Sequence, residues 1–258
     1  MDLGLTEKVA VIVGGSRGIG KAIAHSFAAE GAHLLLCARG AEQLTATAEE
    51  LRAGGATVHT LVLDITDESA GEQMKDAALK AYGQIDILVG NAGGNRRKPL
   101  EDTTETDWQD ILNLNLLGHI RCSRAVIPVM KKAGSGAIVF ISSIFGREAG
   151  GAGLSIYNTT KSALISMAKI LALEVAPEGV RVNTVAPGSI RFPGGSWDRR
   201  CIDDPEGMAA FIKQNLPLGR FGKAEEVGDT VAFLCSDRAS LITGACITVD
   251  GSQSKSLI

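Results

Sequence analysis

The chain has 258 residues, 45% of them hydrophobic and 21% charged, with a formal charge of -3; this is ample apolar material for a helix-covered sheet and argues against disorder. The densest basic run, Arg96-Arg97-Lys98, is short and reads as a solvated loop, so nucleic-acid binding has no support. The five scattered cysteines form no CxxC pair, the four histidines show no ligand spacing, and no apolar stretch reaches the roughly 18 residues of a membrane span. A disulfide framework, a metal site and a membrane protein are therefore set aside. The opening Met1-Asp2-Leu3 does not read as a signal peptide, and a reducing cytoplasm is the expected location.

From end to end, short β-branched or leucine-rich runs alternate with longer helical patterns. This predicts one α/β domain spanning 1–258, with parallel strands joined by crossover helices. The predicted strands are 8–13, 33–38, 57–63, 85–89, 137–142, 181–185 and 246–249. Most are apolar on both faces, as strands buried between two helical layers must be. Ile19, Ile23 and Phe27, then Leu44, Ala48 and Leu51, recur at helical spacing, with Gly31 and Gly54-Gly55 placed to end those helices. Two longer helical stretches, 108–130 and 157–175, are apolar over more than one face, and the expected cover for the outer face is a second copy of the chain, in a dimer or tetramer. The segment 190–217 contains Pro193, Gly194-Gly195, Trp197, Arg199, Arg200 and Pro205. That composition predicts a mobile loop or lid, whose tryptophan and arginines suit an aromatic or anionic substrate.

Gly14-Gly15-Ser16-Arg17-Gly18-Ile19-Gly20 follows the first predicted strand and opens the first predicted helix. In that context glycines permit a tight turn and bring backbone N–H groups against a pyrophosphate at the positive end of the helix. The second strand ends Cys37-Ala38-Arg39, without the acid that would bind a ribose 2′-hydroxyl. Arg39 and Arg17 offer two guanidinium groups to a 2′-phosphate, so NADP(H) is favoured over NAD.

Tyr157 and Lys161 stand four positions apart at the start of a predicted helix and so share one face. A phenol is a poor base at neutral pH, and a nearby ammonium favours the phenolate. The pair is too short to identify anything alone; its weight comes from combination with the glycine loop.

Taken together, the motifs resemble the short-chain dehydrogenase/reductase family over nearly the whole chain and in the family's order. Besides the glycine loop and the Tyr157/Lys161 pair, the family's adenine-pocket acid is similar to Asp64 with Ile65, its Asn-Ala-Gly motif to Asn91-Ala92-Gly93 and its helix asparagine to Asn115. Its serine resembles Ser143, with Ser142 alongside, and its Pro-Gly motif is similar to Pro187-Gly188, followed by Ile190. The resemblance implies a Rossmann-type doubly wound parallel sheet of seven strands with helices on both faces. It also implies that Tyr157 is the acid in reduction or the base in oxidation, and that Ser143 hydrogen-bonds the substrate oxygen. Lys161 would hold the nicotinamide ribose and favour the phenolate, and Asn115 would position a water that connects Lys161 with solvent.

Three positions depart from the family's pattern. Val13 replaces a common threonine whose hydroxyl ties the glycine loop to the Asn91 region, and Phe192 replaces the threonine that caps the cofactor carboxamide. Ser143 precedes Tyr157 by fourteen positions, one more than usual, so the loop 146–153 is expected to bulge; Ser155 is a weaker substitute for Ser143. The overall length with Leu218-Gly219-Arg220 and Val249-Asp250-Gly251 is most similar to 3-oxoacyl-thioester reductases. A dehydrogenase of sugar alcohols or other secondary alcohols is the alternative within enzymes, and an NADP-binding redox sensor without turnover is the alternative outside them. Such a sensor would have no need of Asn115, Ser143, Tyr157 and Lys161 together.

Overall fold

The computed structural model describes residues 2–257. Along the chain run β1 (Val9–Val13), α1 (Gly18–Ala29), β2 (His33–Ala38), α2 (Ala41–Ala53), β3 (Val58–Val62), α3 (Ala70–Tyr82), β4 (Ile87–Gly90), α4 (Glu105–Leu112), α5 (Gly118–Ala133), β5 (Gly136–Ile141) and α6 (Ser155–Val175). Then follow β6 (Val180–Pro187), β7 (Ile190–Arg191), α7 (Ser196–Asp203), α8 (Pro205–Asn215), β8 (Gly222–Lys223), α9 (Ala224–Cys235) and β9 (Cys246–Val249).

Each of the seven predicted strands takes its place in one parallel sheet of order β3-β2-β1-β4-β5-β6-β9. Period-two alternation divides its side chains between two cores. Ala10 and Ile12 of β1 join Leu34 and Leu36 in the core under α1, α2 and α9, where Ile23, Phe27, Leu44, Leu51 and Val231 pack. Val11 and Val13 join Leu35 and Cys37 on the opposite face, under α3, α5 and α6, with Met74, Val126, Met130 and Leu164. Each fully buried side chain of this size contributes about 1.5–3 kcal/mol by leaving water, and the sheet's two covered faces explain why its central strands are apolar throughout.

The strand order reverses between β1 and β4, which opens a crevice at their carboxyl ends. Val13 pairs with Gly90, and Ile141 with Val185, so the loops leaving β1, β4, β5 and β6 gather on one edge.

The stretch predicted as one helix over 108–130 is longer and interrupted. It runs from Glu105 to Ala133 with a π turn at Asn113–Leu117, and the N–H of Gly118 donates to the carbonyl of Asn113. Such turns insert one residue into the helix and re-aim side chains; here the buried residue of the turn is Asn115.

The segment 190–217, expected to be a loop, is mostly helical. The Asp204 carboxylate accepts from the Gly207 N–H, and Pro205 occupies the first turn of α8. These are strong start signals that a reading of bulk composition overlooks. Trp197 stacks on Phe211 at 4.8 Å and tilts against Phe221 at 5.3 Å, with the Arg200 guanidinium 4.9 Å above its ring. Arg199 donates to the Gly194 carbonyl. The tryptophan is thus packed against two phenylalanines, while both arginines remain exposed at the surface.

Candidate active site

The glycine loop is shaped by how closely its own backbone approaches itself. Gly14 and Gly18 have φ of +85° and +55°, conformations that a side chain would strain. A Cβ at Gly20 would lie 2.0 Å from the Gly14 carbonyl oxygen, so no other residue fits where α1 begins. Arg17 is the N-cap of α1 with no side-chain cap, and the first turn of the helix has no acid. Its N–H groups and positive dipole end face the loop uncompensated, which makes the loop an anion cradle. Ser16 holds it from behind by accepting from the Thr47 hydroxyl through its carbonyl, and Ile19 packs on the core.

The hydroxyl missing at Val13 is replaced by backbone contacts. The Asn91 and Ala92 N–H groups both donate to the Val13 carbonyl, and the Asn91 amide donates to the Gly14 carbonyl at 2.9 Å. Gly93 comes next; a Cβ there would meet Asn115 Oδ1 at 3.3 Å and Lys161 Nζ at 3.4 Å. The Asn-Ala-Gly segment thus links the phosphate loop to the Tyr157 side of the crevice.

Past the ends of β2 and β3, Asp64 accepts from the N–H and hydroxyl of Thr66, and Arg39 lies 3.6 Å away. Partial burial raises the Asp64 pKa, but these hydrogen bonds and the Arg39 charge outweigh it and hold the carboxyl below its usual value. Arg39 is 66% exposed and Arg17 is also exposed, so both guanidinium groups remain open to a ligand. Ile65 is buried against Gly118, the first residue of α5.

The structure separates the two serines. The Ser142 hydroxyl donates to the Lys161 carbonyl at 3.0 Å and is spent on holding α6. Ser143 accepts from the Phe145 N–H at 3.2 Å, which leaves its own proton to donate, and it stands close enough to the Tyr157 phenol to lower that group's pKa. Lys161 is 4% exposed, with Nζ 2.8 Å from the Ile141 carbonyl and 5.8 Å from the centre of the Tyr157 ring. Ser155 only opens α6.

Burial governs the electrostatics of this trio. It lowers the Lys161 pKa to about 8 and raises that of Tyr157, and the hydrogen bond from Ser143 offsets the latter only in part. In the protein alone desolvation dominates both groups and leaves Tyr157 a protonated phenol at neutral pH.

Asn115 also does more than expected. Its Nδ2 donates to the Gly94 carbonyl and to the Thr160 hydroxyl, and its Oδ1 accepts from the Gly94 N–H. It clamps the loop after Gly93 to α6 one residue before Lys161. Both side-chain N–H groups are thereby used, which leaves the side chain only the second lone pair of Oδ1 for a further partner.

Pro187 ends β6, Gly188 donates from its N–H to the Val249 carbonyl, and Ile190 is buried in β7. Phe192 packs closely against the glycine loop: a Cβ at Gly18 would come within 2.6 Å of its ring, and one at Gly195 within 2.8 Å.

Two features were not anticipated. Arg96 and Lys98 both donate to the carboxylate of Asp107, which is 4% exposed and forms a capping box with Thr104 at the start of α4. The Lys98 bond and then the Thr104 N–H drive the Asp107 pKa far down, so the basic run is a fastening of the loop after Gly94 rather than a solvated patch. His119 is wholly buried behind that loop, and its Nε2 lies 2.8 Å from the Ala92 carbonyl while Nδ1 has no partner. Burial, then the charge of Lys161, lowers its pKa to about 4, so the ring is neutral and donates through Nε2. Only the fold reveals this role, because a lone histidine on a helix carries no spacing signal.

Among the described residues, no helix is long and apolar enough to cross a membrane, and no group of three or more His, Cys, Asp or Glu could hold a metal ion.

The family described as enoyl-(acyl carrier protein) reductase matches residues 13–252. The chain is 37% identical to the 3-oxoacyl-[acyl-carrier-protein] reductase FabG of Thermotoga maritima, with 96% of this chain and 98% of the relative covered. It is 36% identical to the BbsD subunit of (2S)-[(R)-hydroxy(phenyl)methyl]succinyl-CoA dehydrogenase of Thauera aromatica, with 98% of each covered. The solved structure of L-sorbose reductase from Gluconobacter frateurii, complexed with NADPH and L-sorbose, matches it with a TM-score of 0.95 at 34% identity, over 100% of both chains. The chain belongs to the short-chain dehydrogenase/reductase family. It is an oxidoreductase of the kind that interconverts an alcohol and a carbonyl group.

Proposed function

We propose that the protein transfers a hydride between NADP(H) and a carbonyl or secondary-alcohol carbon, working as a reductase on a 3-oxoacyl-thioester type of ketone. The observation that carries this reading is the Ser143–Tyr157–Lys161 cluster, set where β5 and α6 meet the crevice beside a phosphate-shaped glycine loop.

The side chains fit a dinucleotide. Gly14, Gly18 and Gly20, with Ser16, Arg17 and Ile19, would cradle its pyrophosphate, and the close approach at Gly20 explains why the loop is built of glycines. Asp64 and Ile65 would border the adenine. Arg39 with Arg17 would take the 2′-phosphate, and Asn91, Ala92, Gly93, Pro187, Gly188 and Ile190 would line the nicotinamide side. When bound, the nicotinamide supplies or accepts the hydride.

The protein's own part is proton delivery and stabilisation of charge. In reduction, Tyr157 gives its proton to the substrate oxygen while the Ser143 hydroxyl donates to the same atom. A tyrosine whose pKa is raised by burial stays protonated at neutral pH, which suits an acid better than a base. Lys161 stands beside the Tyr157 ring, where it would hold the ribose and restore the proton.

A second reading, reduction of a sugar ketone or oxidation of a polyol, is favoured by the full-length match to L-sorbose reductase. Initial rates with NADPH and acetoacetyl-CoA against L-sorbose and a ketose and polyol panel separate the two. Tyr157→Phe is expected to bind NADPH normally and to lose turnover by about 100-fold or more, the scale of general acid catalysis; near-normal turnover in that variant would refute the enzymatic mechanism.

A further inference from the structure

Ser143 precedes Tyr157 by fourteen positions, and the surplus chain must be held if the two hydroxyls are to stay in register. The structure holds it from outside, through the segment that follows β9. Arg147 donates to the Cys246 carbonyl of β9 at 3.2 Å. Glu148 then receives three hydrogen bonds on a single carboxylate oxygen, from the Ser254 hydroxyl at 2.9 Å, the Lys255 N–H at 2.8 Å and the Ser256 N–H at 3.1 Å. The main-chain carbonyl of the same residue accepts from the Asn158 amide at 2.8 Å, and Asn158 is the immediate neighbour of Tyr157.

The other end of this segment is fastened to the cofactor side. Gln253 accepts from the Ser189 N–H at 2.8 Å and donates to the Ser189 hydroxyl at 3.0 Å. A Cβ on Gly188 would lie 2.7 Å from both Asp250 and Gln253, so the Pro187-Gly188 turn is built to let this segment come close. Asp250 shapes the segment itself by accepting from the Ser252 and Ser254 N–H groups.

We infer that residues 250–256 form a staple across the active-site edge, and that Glu148 is a positioning residue that sets the Ser143–Tyr157 register through this staple and Asn158. Glu148 touches neither hydroxyl. Its effect passes along the loop and through Asn158, while Gln253 joins the same staple to the turn that borders the nicotinamide. Charge-assisted bonds to a carboxylate are stronger than neutral ones, which suits an acid as the hub of three donors.

The inference rests on the reading of Ser143 and Tyr157 as the reacting pair, and the test distinguishes the two. In the full chain, Glu148→Ala is expected to lower kcat about 10- to 100-fold with acetoacetyl-CoA, or with L-sorbose where the panel selects it, since a displacement of about 1 Å can cost that much. The dissociation constant for NADPH, set mainly at the distant glycine loop, should change less than about twofold, a split that general unfolding would not produce. Glu148→Gln keeps an acceptor oxygen and should recover most of the rate. Amide exchange should quicken at 254–256 and at 144–158 in the Ala variant alone. If exchange quickens in that variant while kcat stays within about twofold of the original, or if the Gln variant is as impaired as Ala, the inference is overturned. A wild-type protein inactive on every carbonyl and alcohol would overturn the functional reading, and the exchange data would still show whether Glu148 holds the loop.

Discussion

Lys161 donates from Nζ to the main-chain carbonyl of Ile141 at 2.8 Å, so the ammonium is tied to the carboxyl end of β5 rather than to any carboxylate. A buried lysine without an acid partner gives up its proton readily, which is why its pKa falls to about 8. The pKa values of Tyr157 and Lys161 are therefore pushed apart, one raised and one lowered, a pattern expected where neighbouring groups do acid and base work.

From this pair a direction-dependent pH profile follows. The reductive rate needs the neutral phenol and should stay level through neutral pH, whereas the oxidative rate needs the phenolate and should climb as pH rises toward the raised tyrosine pKa. Steady-state rates in both directions, from acid to alkaline buffers, check this. Lys161→Met should depress turnover by about 100-fold; an oxidative optimum at or below neutrality would contradict the electrostatic account.

In the proposed reading cofactor choice turns on Arg39, which is 66% exposed and lies 3.6 Å from Asp64. Arg39→Asp removes a guanidinium from the 2′-phosphate and sets a second acid beside Asp64. The NADP/NAD ratio of kcat/KM is expected to fall by about 10- to 100-fold, the equivalent of losing one charged hydrogen bond of roughly 1.5–3 kcal/mol. An unchanged ratio would mean that the pocket has been assigned to the wrong side chain.

His119 should make the fold sensitive to mild acid. Burial lowers its pKa to about 4 from the ordinary 6.5, so the unfolded chain binds the extra proton between those limits. Stability contributed by the neutral ring is complete above pH 6.5 and is lost as pH falls toward 4. His119→Gln keeps a donor for the Ala92 carbonyl and should flatten the upper part of this decline in urea titrations, before carboxylates titrate. Identical slopes in the two proteins would remove the histidine from the explanation.

On α6, Ile170 and Leu173 are 54% and 67% exposed and lie one helical turn apart. We expect a second copy of the chain to cover them. Light scattering should give a dimer or tetramer for the wild type and a smaller species for Leu173→Glu; a wild-type monomer at micromolar concentration would rule this out.

Much of the architecture was readable in the chain because it rests on local and periodic signals. The apolar strands, the glycine loop at Gly14 to Gly20 and the four-residue spacing of Tyr157 and Lys161 each reflect backbone geometry or helical repeat. Composition misread 190–217, where the Asp204-Pro205 cap outweighed the abundance of glycine and proline.

What the tertiary structure decided are relations between residues far apart in sequence. It committed the Ser142 hydroxyl to the Lys161 carbonyl and left that of Ser143 beside Tyr157. It also turned Arg96 and Lys98 onto Asp107, and brought Glu148 to Ser254 across 106 positions. The pKa values belong here as well, since desolvation exists only once distant strands and helices have closed over Tyr157 and Lys161. Residue types and spacing can specify which groups are available; burial and long-range hydrogen bonds, set by packing, determine their charge state and which of them meet.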